Sequence, residues 1–288
     1  MSTAVVDAHV HVFERADRVA RGVDELVPVD RTASVDALGA RLRAAGVDGA
    51  VLVPLDRHDE PVRRALATSP WAVAAVAVAG EAEQGRAGVD PVQALERRWE
   101  GFPFRALRTT WLGDPGRPLE DSPMLPTLRW LARRGLALWS YLPPEQAPLL
   151  EPLGALVPDL AVVLNHLGFA PSGMWVDAHG RPRFDGALAP AEVERVEGLA
   201  RHPRTHLMFS GHYALSAQDH PYPDLAETSQ RLVAAFGADR TLWASDWPWV
   251  DAVPGYTATL DVLEACLPGI TPGERADILG GTVTRLLT

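Results

Sequence analysis

The chain has 288 residues, with 27 basic against 37 acidic side chains and a formal net charge of −10. That balance excludes nucleic acid as the natural partner, since binding phosphate needs a basic surface. Lysine does not occur, which excludes every mechanism built on an amine side chain, and the single cysteine, Cys266, excludes a disulfide framework or an iron–sulfur cluster.

The segment after Met1 soon meets Asp7, His9 and His11 and lacks the charged start and apolar run of a secretion signal. No stretch approaches the ~18 uninterrupted apolar residues of a membrane span, so the expectation is a cytoplasmic protein with no membrane partner. A homo-oligomer is compatible with this composition. In chain order, apolar runs at 5–13, 47–54, 72–80, 104–112, 136–142, 161–168, 205–213 and 242–249 read as strands buried on both faces. Amphipathic stretches lie between them. Residues 34–45 set Val35, Leu38, Leu42 and Ala45 against Arg41 and Arg43; 191–201 carry Val193, Val196 and Leu199 on one stripe, and 224–236 read similarly. Thr271, Pro272 and Glu274 supply the N-cap, first turn and capping box of a closing helix.

Eight strands alternating with helices predict an α/β fold, a (β/α)8 TIM barrel in a single domain over residues 1–288. An open doubly wound sheet would place a glycine-rich phosphate turn after its first strand, and none is present. The long segments 14–33, 169–190 and 214–223 follow strand ends that form the active face of a barrel, so they predict a covered pocket there.

Polar residues interrupt the apolar runs at those same ends. Alternation along a strand places Asp7, His9 and His11 on one side, where two imidazoles can meet a metal or a substrate oxygen. His166 ends the sixth run and Asp246 the eighth, each a burial that needs a partner. Read without function, these are hydrogen-bonded core histidines and a carboxylate capping the next helix. Arg108 ends the fourth run with a planar fork suited to a carboxylate or lactone carbonyl, or to a salt bridge with a loop. Tyr141 at the end of the fifth can donate to an oxyanion, and Ser210 and His212 share a face of the seventh. Trp111, Trp139, Trp175, Trp247 and Trp249 fall near strand ends or on the long sixth loop, which points to a partly apolar substrate, a lid, or core filling.

The segments His9-Val-His11, Asn165-His166-Leu-Gly168 and Ser245-Asp246-Trp247-Pro248 resemble the amidohydrolase superfamily. The similarity is greatest to its amidohydrolase-related branch of 2-pyrone-4,6-dicarboxylate lactonases and sugar-acid lactonases. Leu142-Pro-Pro-Glu-Gln146, Phe209-Ser-Gly-His-Tyr-Ala-Leu-Ser216 and Ile278-Leu-Gly-Gly281 agree with that branch, so the resemblance runs along the whole chain. It implies hydrolysis of a lactone of a carboxylated or sugar-derived small molecule. Asp246 would be the general base, and His9, His11 and His166 would polarise the carbonyl. The same His9, His11, His166 and Asp246 form an acceptable set for one zinc or manganese ion, although the branch includes members that need none.

Departures narrow this reading. Without lysine, the two-metal centre bridged by a carbamylated lysine cannot form. The fifth run, Leu138-Trp139-Ser140-Tyr141-Leu142, lacks the histidine of metal-dependent members, which counts against decarboxylation, the nearest rival activity. Ala214 follows the tyrosine of the seventh run where pyrone-dicarboxylate relatives carry arginine, which counts against a dicarboxylate. Arg108, Tyr141, Ser210, His212, Trp175 and Trp247 are the expected substrate contacts. A rival of another class is a barrel that binds a small ligand without turnover.

Overall fold

The computed structural model describes residues 4–186 and 188–287. Its strands are β1 (Val6–Val10), β2 (Gly49–Leu52), β3 (Ala72–Val78), β4 (Ala106–Thr109), β5 (Ala137–Ser140), β6 (Val162–Leu164), β7 (Trp175–Val176), β8 (Pro182–Arg183), β9 (Thr205–Phe209) and β10 (Thr241–Trp243). All but β7 and β8 lie parallel in one sheet of eight, in the order β1-β2-β3-β4-β5-β6-β9-β10. Helices α1 (Val35–Ala45), α2 (Glu60–Thr68), α3 (Pro91–Gly101), α4 (Leu125–Arg134), α5 (Leu150–Leu156) and α6 (Pro190–Gly198) connect the strands up to β9. A short α7 (His212–Leu215) and α8 (Ala226–Phe236) lead to β10, and α9 (Asp261–Cys266) follows it. This is a (β/α)8 barrel.

The sheet closes where β10 returns beside β1. Val10 bridges Trp247, the His11 amide donates to the Trp247 carbonyl at 2.8 Å, and the Asp246 amide donates to the His9 carbonyl at 3.1 Å. Every apolar run yields a strand shorter than itself, because the chain turns out of the ladder at the mouth. The run 242–249 holds only two residues of strand, Leu242 and Trp243 of a strand that starts at Thr241, and then turns through Ser245 and Asp246.

Inside the barrel, small side chains dominate: Ala8, Ala74, Ala106, Ala137, Ala161 and Ala244 surround Trp139, with Val51, Val53, Val76 and Val163 between them. Alanines leave the space that one indole fills, the large-with-small pairing that close packing of a cylinder requires. Leu52, Leu107, Leu138, Leu164 and Leu207 point the other way, into the layer under the helices. The closing helix begins with the expected capping box, in which Thr271 and Glu274 satisfy each other's backbone amides. It is not one helix. A π turn over Asp277–Gly281 separates α10 (Pro272–Ala276) from α11 (Thr282–Leu287). At that turn a methyl on Gly280 would collide with the Ala4 carbonyl. Among the described residues, no helix is long and apolar enough to cross a membrane.

The alternation expected of β1 fails once, with a consequence for the site. Asp7 pairs with Ala50 and Val10 with Leu52, so β1 spends three steps where β2 spends two. One extra residue reverses which face the following side chains take. Val6 and Ala8 therefore point inward, and so do His9 and His11, while Asp7 turns to the helix side and does not join the histidines. There Asp7 accepts from the amides of Ser245 (3.0 Å) and His9 (3.2 Å) and from the Tyr256 hydroxyl (2.8 Å). It pins the turn that carries Asp246 to the first strand. Burial pushes its carboxyl up to about 6, against the pull of the Ser245, Tyr256 and His9 hydrogen bonds. Tyr256→Phe removes a donor from a buried oxygen and should cost roughly 1–3 kcal/mol of stability, measured by urea denaturation.

Candidate active site

A cavity of about 380 Å³ opens at the C-terminal ends of the strands, a size suited to a small molecule. Its walls come from loops expected to cover it and from the segment after β10, which was not among them. Leu26 and Val27 of the first loop, Met174 and Phe184 of the sixth, and Trp249 of the eighth line it. The hairpin β7–β8 is held across the mouth by arginines. Arg31 donates to the Gly180 carbonyl (2.7 Å), Arg181 to that of Val253 (3.1 Å) and Arg183 to that of Tyr213 (2.9 Å).

Asp246 and His166 face each other at the inner end. Among the described residues, His166, Leu167, Tyr222 and Asp246 are the non-glycine positions with positive φ, at 47°, 56°, 64° and 62°. Such backbone is disfavoured for side chains with a Cβ and persists where the surroundings enforce it. At β10 the enforcing contacts are the seam amide and the Asp7 turn. At β6 it is Gly211, where an added methyl would lie 2.6 Å from the His166 Cβ. His166 Nδ1 is 2.8 Å from the Ser210 hydroxyl, which fixes the ring with Nε2 facing Asp246 Oδ2 at 3.7 Å.

The two carboxylate oxygens of Asp246 have different surroundings. Oδ2 accepts from the Tyr213 hydroxyl at 2.7 Å. Oδ1 is buried with no hydrogen-bond partner, 3.5 Å from His11 Nε2 and 3.8 Å from His9 Nε2. Burial alone would push this carboxyl up, but His166, then His11 and His9, pull the other way and hold it well below the usual carboxylate range. Burial in turn lowers His166 to about 4, so its imidazole is neutral at pH 7 beside an ionised Asp246.

Beside them, the half-buried Arg108 lays its guanidinium 4.6 Å from the centre of the Tyr141 ring, and its Nε has no partner. Burial lowers it from its ordinary value, opposed by Tyr141 and Asp246. Burial raises Tyr141 to about 12, which keeps its hydroxyl a donor at neutral pH. A buried orphan donor on a cation that lines the cavity is what a carbonyl or carboxylate of a ligand would satisfy.

His11, His166, Asp246, Arg108 and Tyr141 thus line one cavity. Five other expected residues are not among its lining. His9 sits behind His11, deep in the barrel and fully buried. Ser210 lies behind His166 as its hydrogen-bond partner. His212 does not share a strand face with Ser210, because β9 ends at Phe209 and Gly211 turns the chain into α7; its Nε2 meets Ser229 at 3.1 Å. Trp247 is buried in the core, and Trp175 is 45% exposed on β7, opposite Arg183. Sequence reasoning missed Tyr213, which follows the glycine turn, and gave no specific role to Trp139, whose indole donates to His9 Nδ1 at 3.0 Å. A polar-tipped aromatic beside a strand end was the available signal for both, but alternation alone could not place their tips.

For a divalent ion, His9, His11 and Asp246 have ligand atoms within 4.8 Å of one another, so these three could hold one, and the orphaned Asp246 Oδ1 fits that role. His166 does not join the group, so the expected four-ligand set reduces to three. One ligand is also committed elsewhere, since the Trp139 bond occupies His9 on its far nitrogen.

The amidohydrolase family model matches residues 6–288. The chain belongs to the amidohydrolase family. It is 27% identical to L-fucono-1,5-lactonase from Burkholderia ambifaria, over 96% of this chain and 92% of that protein. Among solved structures, this amidohydrolase matches one from Burkholderia multivorans with bound zinc at TM-score 0.76, 18% identical over 99% of both chains. A candidate 2-pyrone-4,6-dicarboxylic acid hydrolase from Pseudomonas putida matches at TM-score 0.71 and 22% identity, covering 100% of this chain and 98% of that one. 5-Carboxyvanillate decarboxylase from Sphingomonas paucimobilis matches at 0.66 and 14%, over 99% of both. At these identities the structures establish a shared fold.

Two outcomes follow from the buried imidazoles and the glycine turn. Burial holds His166 at about 4 and His212 at about 3, below the 6.5 of a free imidazole. The unfolded chain therefore takes up protons that the folded one refuses, and stability falls as pH drops from about 6.5 toward 4. His212→Gln should flatten that slope in urea denaturation across a pH series. Gly211→Ala, which drives a methyl into His166, should fold less stably and lose most turnover, read by denaturation and by rate.

Proposed function

We propose that this amidohydrolase opens a lactone by attack of water, with Asp246 as general base. The single observation that carries the reading is the pair of unlike oxygens on Asp246. Oδ2 is anchored by the Tyr213 hydroxyl, while Oδ1 is buried, ionised and unpaired at the cavity. Oδ1 takes a proton as water bonds to the lactone carbonyl carbon. His166, Tyr141 and Arg108 stand beside that point, and a donor from this group meets the charge growing on the carbonyl oxygen. Collapse of the tetrahedral intermediate breaks the ring C–O bond, and the departing alkoxide recovers the proton from Asp246 to leave a hydroxy acid.

The L-fucono-1,5-lactonase relative supports a sugar-derived lactone as the substrate class. Against a dicarboxylate, Arg108 is the one guanidinium among the described cavity-lining residues, Ala214 lines the wall, and Asp24 and Asp56 lie among the lining as further acids. Decarboxylation is the second reading, which the shared fold allows; the absence of a histidine from the fifth strand counts against it.

A pH-indicator assay of purified protein on a lactone panel, with CO2 release measured in parallel, separates the readings. Lactone opening without CO2 is the expected result. Asp246→Asn should stay folded and lose at least ~10²-fold in rate, the scale of a general base. Full activity in that variant excludes the role. Arg108→Met should raise KM for acidic lactones roughly 10- to 100-fold, as loss of a hydrogen bond to charge predicts, and neutral lactones less.

A further inference from the structure

Trp139 stands at the centre of the barrel interior, completely buried, with its Nε1–H directed at His9 Nδ1 at 3.0 Å. An indole nitrogen only donates, so His9 Nδ1 must be the acceptor. An imidazole that accepts at Nδ1 has no proton on that nitrogen. Its one ring proton therefore sits on Nε2. That nitrogen is 3.3 Å from His11 Nε2, and the contact needs one proton and one lone pair. His11 Nδ1 is 2.8 Å from the Val53 carbonyl, which only accepts, so His11 carries its proton there and offers a lone pair at Nε2. The three bonds run in one direction, from Trp139 to His9, from His9 to His11 and from His11 to Val53.

We propose that Trp139 is a positioning residue that sets the tautomers of both histidines and thereby withholds them from metal. A metal-ligating imidazole needs a free lone pair. On His9 it is taken by the indole, and on His11 by the His9 proton, so binding an ion through this pair requires breaking the chain of bonds that starts at Trp139. The His-x-His spacing that is well placed for ligation serves instead to aim His11 beside Asp246 Oδ1. Strand β5 is where the decision is made, since Trp139 is the residue of that strand that reaches across to β1. The inference bears on the proposed hydrolase, because it leaves Asp246 Oδ1 free for a proton, but its test needs no turnover.

Long-range proton–nitrogen correlation spectra of the 15N-labelled full chain at pH 7 read the tautomers directly, with His9 and His11 assigned from His9→Gln and His11→Gln spectra. His9 should show its proton on Nε2 and His11 on Nδ1. Trp139→Phe should move His9 away from the Nε2–H form, and zinc affinity by titration calorimetry should rise at least about tenfold, the scale on which ligand-orienting partners act. A wild-type His9 carrying its proton on Nδ1 overturns the proposal, and that measurement stands even if the variant does not fold. A folded Trp139→Phe with the His9 tautomer unmoved overturns the role of Trp139. A moved tautomer with unchanged zinc affinity overturns the claim about ligation. A lactone assay that fails while these spectra succeed would overturn only the hydrolase reading.

Discussion

The structure depends on the seam where the last strand meets the first. Two backbone hydrogen bonds, from the His11 and Asp246 amides, splice β10 onto β1 and so bring residues 235 positions apart in the chain within 4 Å. Asp7, buried behind the seam, holds the Ser245–Asp246 turn in a backbone conformation that the carboxylate residue would not adopt unaided. Loss of the seam would leave two half-sites, a pair of imidazoles on one edge and a carboxylate on the other.

The electrostatics of the site follow from this enclosure. An isolated carboxylate at that depth would be strongly disfavoured in its ionised form. Here three imidazole rings and one phenol surround it, and each presents a polar atom at 2.7 to 3.8 Å. The cluster holds Asp246 ionised at the cavity, which suits a group that must accept a proton and return it. Arg108 supplies positive charge nearby but remains unpaired, so its attraction is available to a ligand. The loops add apolar wall to this cluster, since Phe169, Phe184 and Trp249 line the same cavity.

How much of this was legible from residues alone varies with the range of the interaction. The strand runs, the capping box at Thr271 and the order of the fold follow from local pattern, because apolar spacing and caps act over a few residues. His11, His166, Asp246, Arg108 and Tyr141 were found because strand ends in a barrel converge by geometry. Asp7 was misplaced by a single bulge, which no alternation rule foresees. Ser210 and His212 were separated by a glycine turn, and Trp175 was carried outward on a hairpin whose antiparallel pairing was hidden within a long loop.

The sequence by itself determined the kind of fold, the absence of amine chemistry and the cast of polar side chains at one end of the barrel, since these depend on composition and on periodicities of two and 3.6. Only the tertiary structure decided which nitrogen of each ring is committed, which oxygen of Asp246 is unpaired, and that His9 stands behind the cavity wall. Those features are set chiefly by hydrogen bonds across 33 to 130 residues of chain, and hydrogen bonds of that reach depend on packing geometry that no local pattern encodes.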